Sequence, residues 1–135
     1  MALVLQGEGA AQDFAPHDEF LRRISPDWVK PDGSLMTLAF RNTTGTDRMS
    51  VNWAALSSVD DTLIGWEWHG VVSVTAELCW CLNQKIERTP TADNPAHCDV
   101  VGYKSESVKR KFARAGKWLR YPESRDSQLG DSTER

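Results

Sequence analysis

One segment of this 135-residue chain, residues 106–119, has a spacing of apolar side chains that a helix aligns on one side and a strand does not. Its apolar residues recur at intervals of four, three and four: Val108, Phe112, Ala115 and Leu119. Ser105 is a favourable N-cap, and Glu106 suits the positive end of the helix dipole. The sequence therefore predicts a helix whose apolar side docks on the rest of the protein.

The same segment concentrates the positive charge of the chain. Residues 1–103 carry seven Lys or Arg against fourteen Asp or Glu, residues 104–120 carry seven against one, and residues 121–135 carry two against four. The helical part presents Lys109, Arg110, Lys111 and Arg114 on its polar side. This side is either solvated, or it contacts an acidic protein or the phosphates of a nucleic acid. An acidic chain without base-reading motifs makes the nucleic acid the least favoured of the three.

Four further segments have the composition of strands. Residues 35–41 and 50–53 flank a turn-rich stretch and predict a hairpin. Residues 84–88 and 96–101 flank a loop that contains Pro95, and they predict a second pair of strands.

The longest apolar segment, residues 71–82, changes character along its length. Its three valines favour a strand and the residues after them favour a helix, so we predict a strand that passes into a helix near Thr75. Ser57 with Asp60, and likewise Ser58 with Asp61, have the spacing of a helix capping box, which predicts a short helix before Gly65.

These elements together predict an α+β fold, in which a small, mostly antiparallel sheet packs against two helices near residues 75–83 and 106–119. A chain of this length has room for one domain whose core buries roughly two thirds of its unfolded-state surface. We place this domain at residues 19–120. An irregular lead-in, residues 1–18, precedes it, and the polar composition of residues 121–135 predicts a disordered tail.

The chain has no sequence signal for a membrane. No stretch approaches the ~20 apolar residues of a membrane-spanning helix, and the N-terminal residues lack the basic start of a secretory signal. We therefore predict a cytoplasmic protein without membrane association.

The cysteines are three in number, which is odd: Cys79, Cys81 and Cys98. We predict free thiols, as in a reducing compartment. A zinc site built from them together with His97 or His69 is disfavoured, because the ligands are not spaced in the pairs that structural zinc uses. No metal is predicted.

Short motifs within residues 20–101 resemble a pattern found in a group of small uncharacterised bacterial proteins. The motifs are Leu21-Arg22-Arg23-Ile24 followed by Pro26, Asp32-Gly33, Ala39-Phe40-Arg41, Ser50-Val51 and Asn94-Pro95-Ala96-His97. The resemblance implies a bacterial, cytoplasmic, single-domain protein. It implies no activity, because none is established for that group.

His97 is the candidate for acid–base chemistry. If Ala96 begins a strand, His97 and Asp99 project from the same face, and an aspartate can hold a histidine in the tautomer that a general base needs. In the alternative interpretation, His97 is an ordinary hydrogen-bonded residue of the strand.

A pair of adjacent arginines is the candidate for anion binding. Arg22 and Arg23, with Arg41 as a third donor, could bind a phosphate or a carboxylate through their planar guanidinium groups. The alternative is a basic pair that faces solvent or pairs with surface acids, where single ion pairs contribute little.

An aromatic segment lies between Gly65 and Gly70. Its Trp66 and Trp68 could form a platform for a base, a sugar or a peptide side chain. They could equally lie along one face of a strand in the core, since tryptophan is usually mostly buried.

The function favoured by these features is a small binding or accessory module that engages a protein partner through Trp66 and Trp68 or through the basic helix. The first alternative is a hydrolase or transferase for a phosphate-bearing small molecule or nucleotide, with His97 as base and Asp99 orienting it. The second is non-specific nucleic-acid binding by the basic helix. No cofactor is predicted. The enzyme requires His97 and the arginines to meet in one pocket, whereas the module requires an exposed patch without such convergence.

Overall fold

Within residues 14–123, six strands form one sheet in which every neighbouring pair is antiparallel. The computed structural model describes residues 14–123. The strands are β1 (Glu19–Ile24), β2 (Arg48–Trp53), β3 (Gly70–Thr75), β4 (Lys85–Arg88), β5 (His97–Val101) and β6 (Lys117–Arg120). Their order across the sheet is β4-β5-β2-β1-β3-β6, which places β1 and β2 at the centre. The predicted α+β class is confirmed.

Short helices and 3-10 turns connect the strands along the chain. The helices are α1 (Val59–Thr62), α2 (Ala76–Cys81) and α3 (Glu106–Ala115), and the 3-10 turns are Pro26–Trp28 and Thr37–Phe40. The side chains of Ser58, Thr75 and Ser105 each accept a hydrogen bond from the backbone N–H three residues later. The predicted helix starts are therefore confirmed. None of the described helices is long and apolar enough to cross a membrane.

The main apolar core lies on one face of the sheet, beneath α2, α3 and the second 3-10 turn. Because side chains alternate along a strand, every second residue of β1 points to this face. The core residues without solvent exposure include Phe20, Ile24, Met49, Val72, Val100, Ala39, Phe40, Cys79 and Phe112. Phe112 of α3 stacks on Phe40 with the ring centroids 5.5 Å apart. Val108 and Phe112 of the predicted apolar side pack in the core as expected, but Ala115 is exposed and Ala113 packs against the core instead.

The predicted strand at residues 35–41 is wrong. This segment contains the 3-10 turn Thr37–Phe40, and its Ala39 and Phe40 are buried in the core. β2 pairs with β1 along one edge and with β5 along the other, so no edge of β2 is left for a hairpin with this segment. The segment covers the sheet instead of extending it.

The predicted helix over residues 106–119 is too long, because α3 ends at Ala115 and the following residues form β6 on the edge of β3. Gly116 lies at the change of direction. A Cβ atom there would lie 2.6 Å from Cγ1 of Val72, so only glycine allows the chain to pass this close to β3. Leu119, predicted on the apolar side of the helix, lies on β6.

One charge of the basic segment is buried. Lys104 is 7% exposed, and its ammonium group donates to the side chain of Asn42 and to the carbonyls of Val100 and Gly102. Burial lowers the pKa of Lys104 to about 8. Lys104 thus serves to tie the β5–α3 connection to the loop before β2, and the exposed positive charge lies further along the chain.

The ends of the predicted domain are partly outside the described residues. Residues 1–13 of the predicted lead-in and residues 124–135 of the predicted tail lie there. Phe14 is buried and packs edge-on against Phe20 and Trp53, with ring centroids 5.1 and 5.0 Å apart. The core therefore includes a residue that the sequence assigns to the lead-in.

Candidate functional site

The two central strands separate partway along their length. β1 and β2 are paired at two positions, the second of which joins Leu21 to Asn52. The same register continued would pair Arg23 with Ser50, but the ladder ends before that pair. A gap between two strands leaves backbone polar groups that need other partners.

The Arg22 side chain fills this gap. Its Nε donates to the carbonyl of Ala39 and its Nη1 donates to the carbonyl of Ser50, both at 2.9 Å. The second bond satisfies a β2 carbonyl beside the gap. The guanidinium thus connects β2 to the cover of the core, and it lies at the bottom of an opening between the central strands.

A cleft of about 860 Å³ lies over this opening, and we call it the β1–β2 cleft. Residues 56–69, which include α1, form one wall, and residues 93–97 form the other. Four residues singled out in the sequence line the cleft: Arg22, Arg23, Trp66 and His97. Arg23 and Asn52 point away from the main core, so the cleft opens on the side of the sheet opposite to α2 and α3.

A chain of hydrogen bonds holds the two walls of the cleft together. The Asn94 amide donates to Oδ1 of Asn52 at 2.9 Å, and the Asn52 amide donates to Oγ1 of Thr62 at 3.1 Å. Oγ of Ser57 lies 3.2 Å from the same Thr62 hydroxyl. Because these bonds cross from the loop before β5 through β2 to α1, they fix the width of the cleft.

The aromatic segment forms part of the wall over α1. The Arg23 guanidinium lies 4.7 Å from the centroid of the Trp66 ring, within the range of a cation–π contact. Trp66 also contacts His69, at a centroid distance of 5.0 Å, and Trp68, at 5.8 Å. Trp66 lies in the irregular segment between α1 and β3 and not in a strand. Trp68 contacts Trp66 but does not line the cleft. The two tryptophans therefore do not form one platform.

The bottom of the cleft carries positive charge without a paired carboxylate. Among the described residues, neither Arg22 nor Arg23 has a carboxylate oxygen within 4.0 Å, and the exposed Asp61 and Asp93 line the cleft without pairing to them. Burial, and then the charges of Arg23 and Arg41, lower the pKa of Arg22 to about 10. The lowered pKa reflects a cation that lacks a counter-ion.

His69 and Arg41 both lie near the two arginines, but only His69 lines the cleft. Burial, and then the charge of Arg23, lower the pKa of His69, whose Nδ1 is buried without a hydrogen-bond partner in the described part of the chain. Arg41, the third predicted anion donor, does not line the cleft. Its guanidinium lies 6.0 Å from the centroid of the Trp28 ring, which Arg22 approaches to 5.7 Å.

His97 lines the cleft, but Asp99 does not orient it. Nδ1 of His97 lies 2.8 Å from the hydroxyl and 3.1 Å from the carbonyl of Thr89. The Asp99 carboxylate instead accepts from Arg48 at 3.1 Å, and Arg48 also pairs with Glu87. The two side chains share a face, as predicted, but residues two apart on a strand are about 7 Å apart and the imidazole turns toward Thr89.

Protein-family models, curated proteins and solved structures give no match to this chain. The resemblance to small bacterial proteins therefore stays a prediction.

The basic side of α3 lies away from this cleft. Lys109 pairs with Glu106 at 3.2 Å, while Arg110, Lys111 and Arg114 are exposed. Since α3 covers the opposite face of the sheet, the structure does not bring these residues together with Arg22, Arg23 or His97.

The thiols are placed for packing more than for chemistry. Cys79 and Cys98 are buried, and burial raises their pKa values to about 12 and about 11. Such thiols stay protonated at neutral pH and are poor metal ligands. Cys81 is exposed. Over residues 14–123, no group of three His, Cys, Asp or Glu side chains is placed to hold a metal ion.

Sequence reasoning missed the polar residues that join the walls, above all Asn52 and Thr62. Asn52 stands between Val51 and Trp53 in β2 and is paired with His97 across the ladder. An amide at the position that faces away from the core is common in a half-exposed strand. Its role becomes visible only when α1 and the loop before β5 are placed beside it.

Proposed function

We propose that the β1–β2 cleft binds a phosphate-bearing small molecule. The observation that carries this proposal is that Arg22 and Arg23 both line one cleft, which is the convergence that an anion site requires. Guanidinium groups present planar sets of donors that match phosphate oxygens. Partly buried cations without a counter-ion also favour an anionic ligand, because it supplies the charge that the protein does not.

The hydrogen-bond partners of the two arginines indicate which donors the ligand uses. Arg22 commits Nε and Nη1 to backbone carbonyls, which leaves Nη2 for the cleft. Arg23 commits Nη1 to the carbonyl of Thr62 at 3.5 Å, which leaves Nε and Nη2. Because adjacent residues of β1 point to opposite faces of the sheet, Arg23 offers its donors from the wall of the cleft, and Arg22 would reach the same phosphate through the gap between β1 and β2.

Titration calorimetry with ribose 5-phosphate tests this proposal. Arg23→Gln keeps the length and polarity of the side chain but removes the charge, so we expect its affinity to fall about ten- to a hundredfold, the usual loss for a hydrogen bond to a charged group. The matched control is Arg114→Gln on α3, an exposed arginine on the other side of the sheet, which should leave the affinity unchanged. An unmodified protein that does not bind the probe, or two variants that weaken it equally, would contradict the proposal.

Catalysis is the second candidate, and the geometry of His97 favours it. The contacts of Nδ1 with Thr89 leave Nε2 to accept a proton within the cleft. In the hydrolysis of a phosphate ester, water would attack phosphorus and give its proton to His97, the bond from phosphorus to the leaving oxygen would break, and that oxygen would take a proton from solvent. Thr89 replaces Asp99 as the residue that positions the ring.

Hydrolysis of p-nitrophenyl phosphate separates binding from catalysis. If the protein turns over this ester, His97→Gln should lower the rate about a hundredfold, the usual contribution of a general base, and leave the affinity for ribose 5-phosphate within about threefold. No turnover by the unmodified protein would reject the enzyme and leave a binding protein. The melting temperature of the variant serves as the check on folding.

Engagement of a protein partner, non-specific nucleic-acid binding and a cytoplasmic location stay predictions. A protein partner would bind through Trp66 and Trp68 or through the basic helix, and a nucleic acid through that helix, whose Arg110, Lys111 and Arg114 are exposed and separate from the cleft. The Arg114→Gln control therefore bears on them as well, because a role for α3 in ligand binding would appear as a loss of affinity in that variant.

A further inference from the structure

We propose that the ligand of the β1–β2 cleft is a nucleoside monophosphate whose base packs at Trp66. This inference rests on the proposed phosphate site and adds the part of the ligand that lies outside it. It follows from how polarity changes between the bottom of the cleft and its mouth.

The mouth of the cleft is apolar and exposed. Leu56, Ile64 and Trp66 line the cleft and are 48%, 72% and 43% exposed. Large apolar side chains grouped at the entrance of a polar cleft are unfavourable in water, and such groups mark the places where ligands pack. A phosphate or a simple sugar phosphate would leave these three side chains uncovered, whereas an attached planar base would cover them.

The contact between Arg23 and Trp66 joins the two parts of the cleft. The guanidinium lies against the ring at 4.7 Å, so one side chain faces both the aromatic wall and the space above Arg22. Packing against Trp66 restricts the motion of a long side chain before the ligand arrives, which reduces the entropy lost on binding. A ligand with phosphate and aromatic ring on one rigid framework would contact both residues together.

The middle of the cleft suits a sugar. Asn52, Asn94 and Ser57 line the cleft; part of their hydrogen-bonding capacity joins the two walls, and their remaining N–H and lone-pair positions can contact a sugar. The volume of about 860 Å³ is far more than inorganic phosphate fills and lies in the range that small organic ligands occupy. Phosphate, sugar and base thus match the successive chemistry of the bottom, middle and mouth.

The test is calorimetric titration with AMP, UMP and ribose 5-phosphate, which share the phosphate and differ in the base. We expect both nucleotides to bind about ten- to a hundredfold more tightly than the sugar phosphate, which is the usual gain when a base stacks on an aromatic side chain. Trp66→Ala should remove this preference; because it also frees Arg23, the affinity for ribose 5-phosphate should itself fall by no more than about tenfold. The matched control is Trp80→Ala on α2, which is 39% exposed and does not line the cleft, and it should keep the preference.

The possible outcomes distinguish failure of the nucleotide inference from failure of the proposed phosphate site. Equal affinities for nucleotide and sugar phosphate, or a preference that survives in Trp66→Ala, would overturn the nucleotide inference while the phosphate site stands. If none of the three probes binds, the proposed function itself fails. Should Trp66→Ala not fold, the highly exposed Ile64 provides a second variant: Ile64→Ser should reduce the preference about threefold by removing apolar area from the mouth, and no reduction would overturn the inference.

Discussion

Arg22→Met is expected to weaken the binding of ribose 5-phosphate about a hundredfold and to change the free energy of unfolding by no more than ~2 kcal/mol. The ligand loses the charged donor at the bottom of the cleft. The protein loses the two hydrogen bonds from Arg22 to the carbonyls of Ala39 and Ser50, and these carbonyls then need water as a partner. It also loses a buried cation without a counter-ion, and this relief offsets much of the cost.

Urea denaturation and calorimetry on the same preparation separate the two effects. Arg48→Met serves as the control. Arg48 lies on the face of the sheet that carries the cleft, but its charge is already paired with Asp99 and Glu87. Ligand affinity in that variant should stay within about threefold of the unmodified protein, as for a surface change distant from a ligand. A large loss of stability with intact affinity in Arg22→Met would make Arg22 a structural residue alone and argue against its part in the anion site.

Phe112→Ala should lower the free energy of unfolding by about 3–5 kcal/mol, the usual cost of deleting a buried aromatic ring. Phe112 has no solvent exposure and stacks on Phe40, and this contact joins α3 to the 3-10 turn that covers the sheet. The cavity would open between α3 and the 3-10 turn Thr37–Phe40. Neighbouring side chains would fill it only in part, so most of the destabilisation would remain.

The midpoint and slope of urea denaturation give this loss directly, and Lys111→Ala is the control. Lys111 is exposed on the same helix, so its replacement should change the free energy of unfolding by less than about 0.5 kcal/mol. A loss below ~1 kcal/mol for Phe112→Ala would mean that α3 is held by other contacts. Since Phe112 lies on the far side of the sheet from the cleft, the folded variant should retain the affinity for ribose 5-phosphate.

Local signals in the sequence were sufficient wherever neighbouring residues decide the conformation. The hydroxyl caps at Ser58, Thr75 and Ser105 satisfy backbone donors a few residues away, so the helix starts could be predicted without any long-range contact. The apolar period that contains Phe112 likewise predicted which side of α3 is buried.

The incorrect predictions fall where distant residues decide. Residues 35–41 have the composition of a strand, but β2 was already paired on both edges. The helical period continues to Leu119, yet the close approach of Gly116 to Val72 turns the chain onto the edge of β3. A local sequence pattern does not show whether a strand edge is already paired. It also does not show a contact between residues about forty positions apart.

The same division applies to the cleft. From residue types and local patterns one predicts the α+β class, the helix starts, the burial of Phe112, the anion-binding candidates Arg22, Arg23 and Arg41, and His97 as a base oriented by Asp99. Long-range contacts bring Arg22, Arg23 and His97 to one cleft without Arg41, place Thr89 and not Asp99 beside the imidazole, and make Asn52 the link between the walls. The physical reason is that caps and periodicity act over a few residues, whereas a cleft forms where two central strands separate and elements far apart in the chain close around the gap.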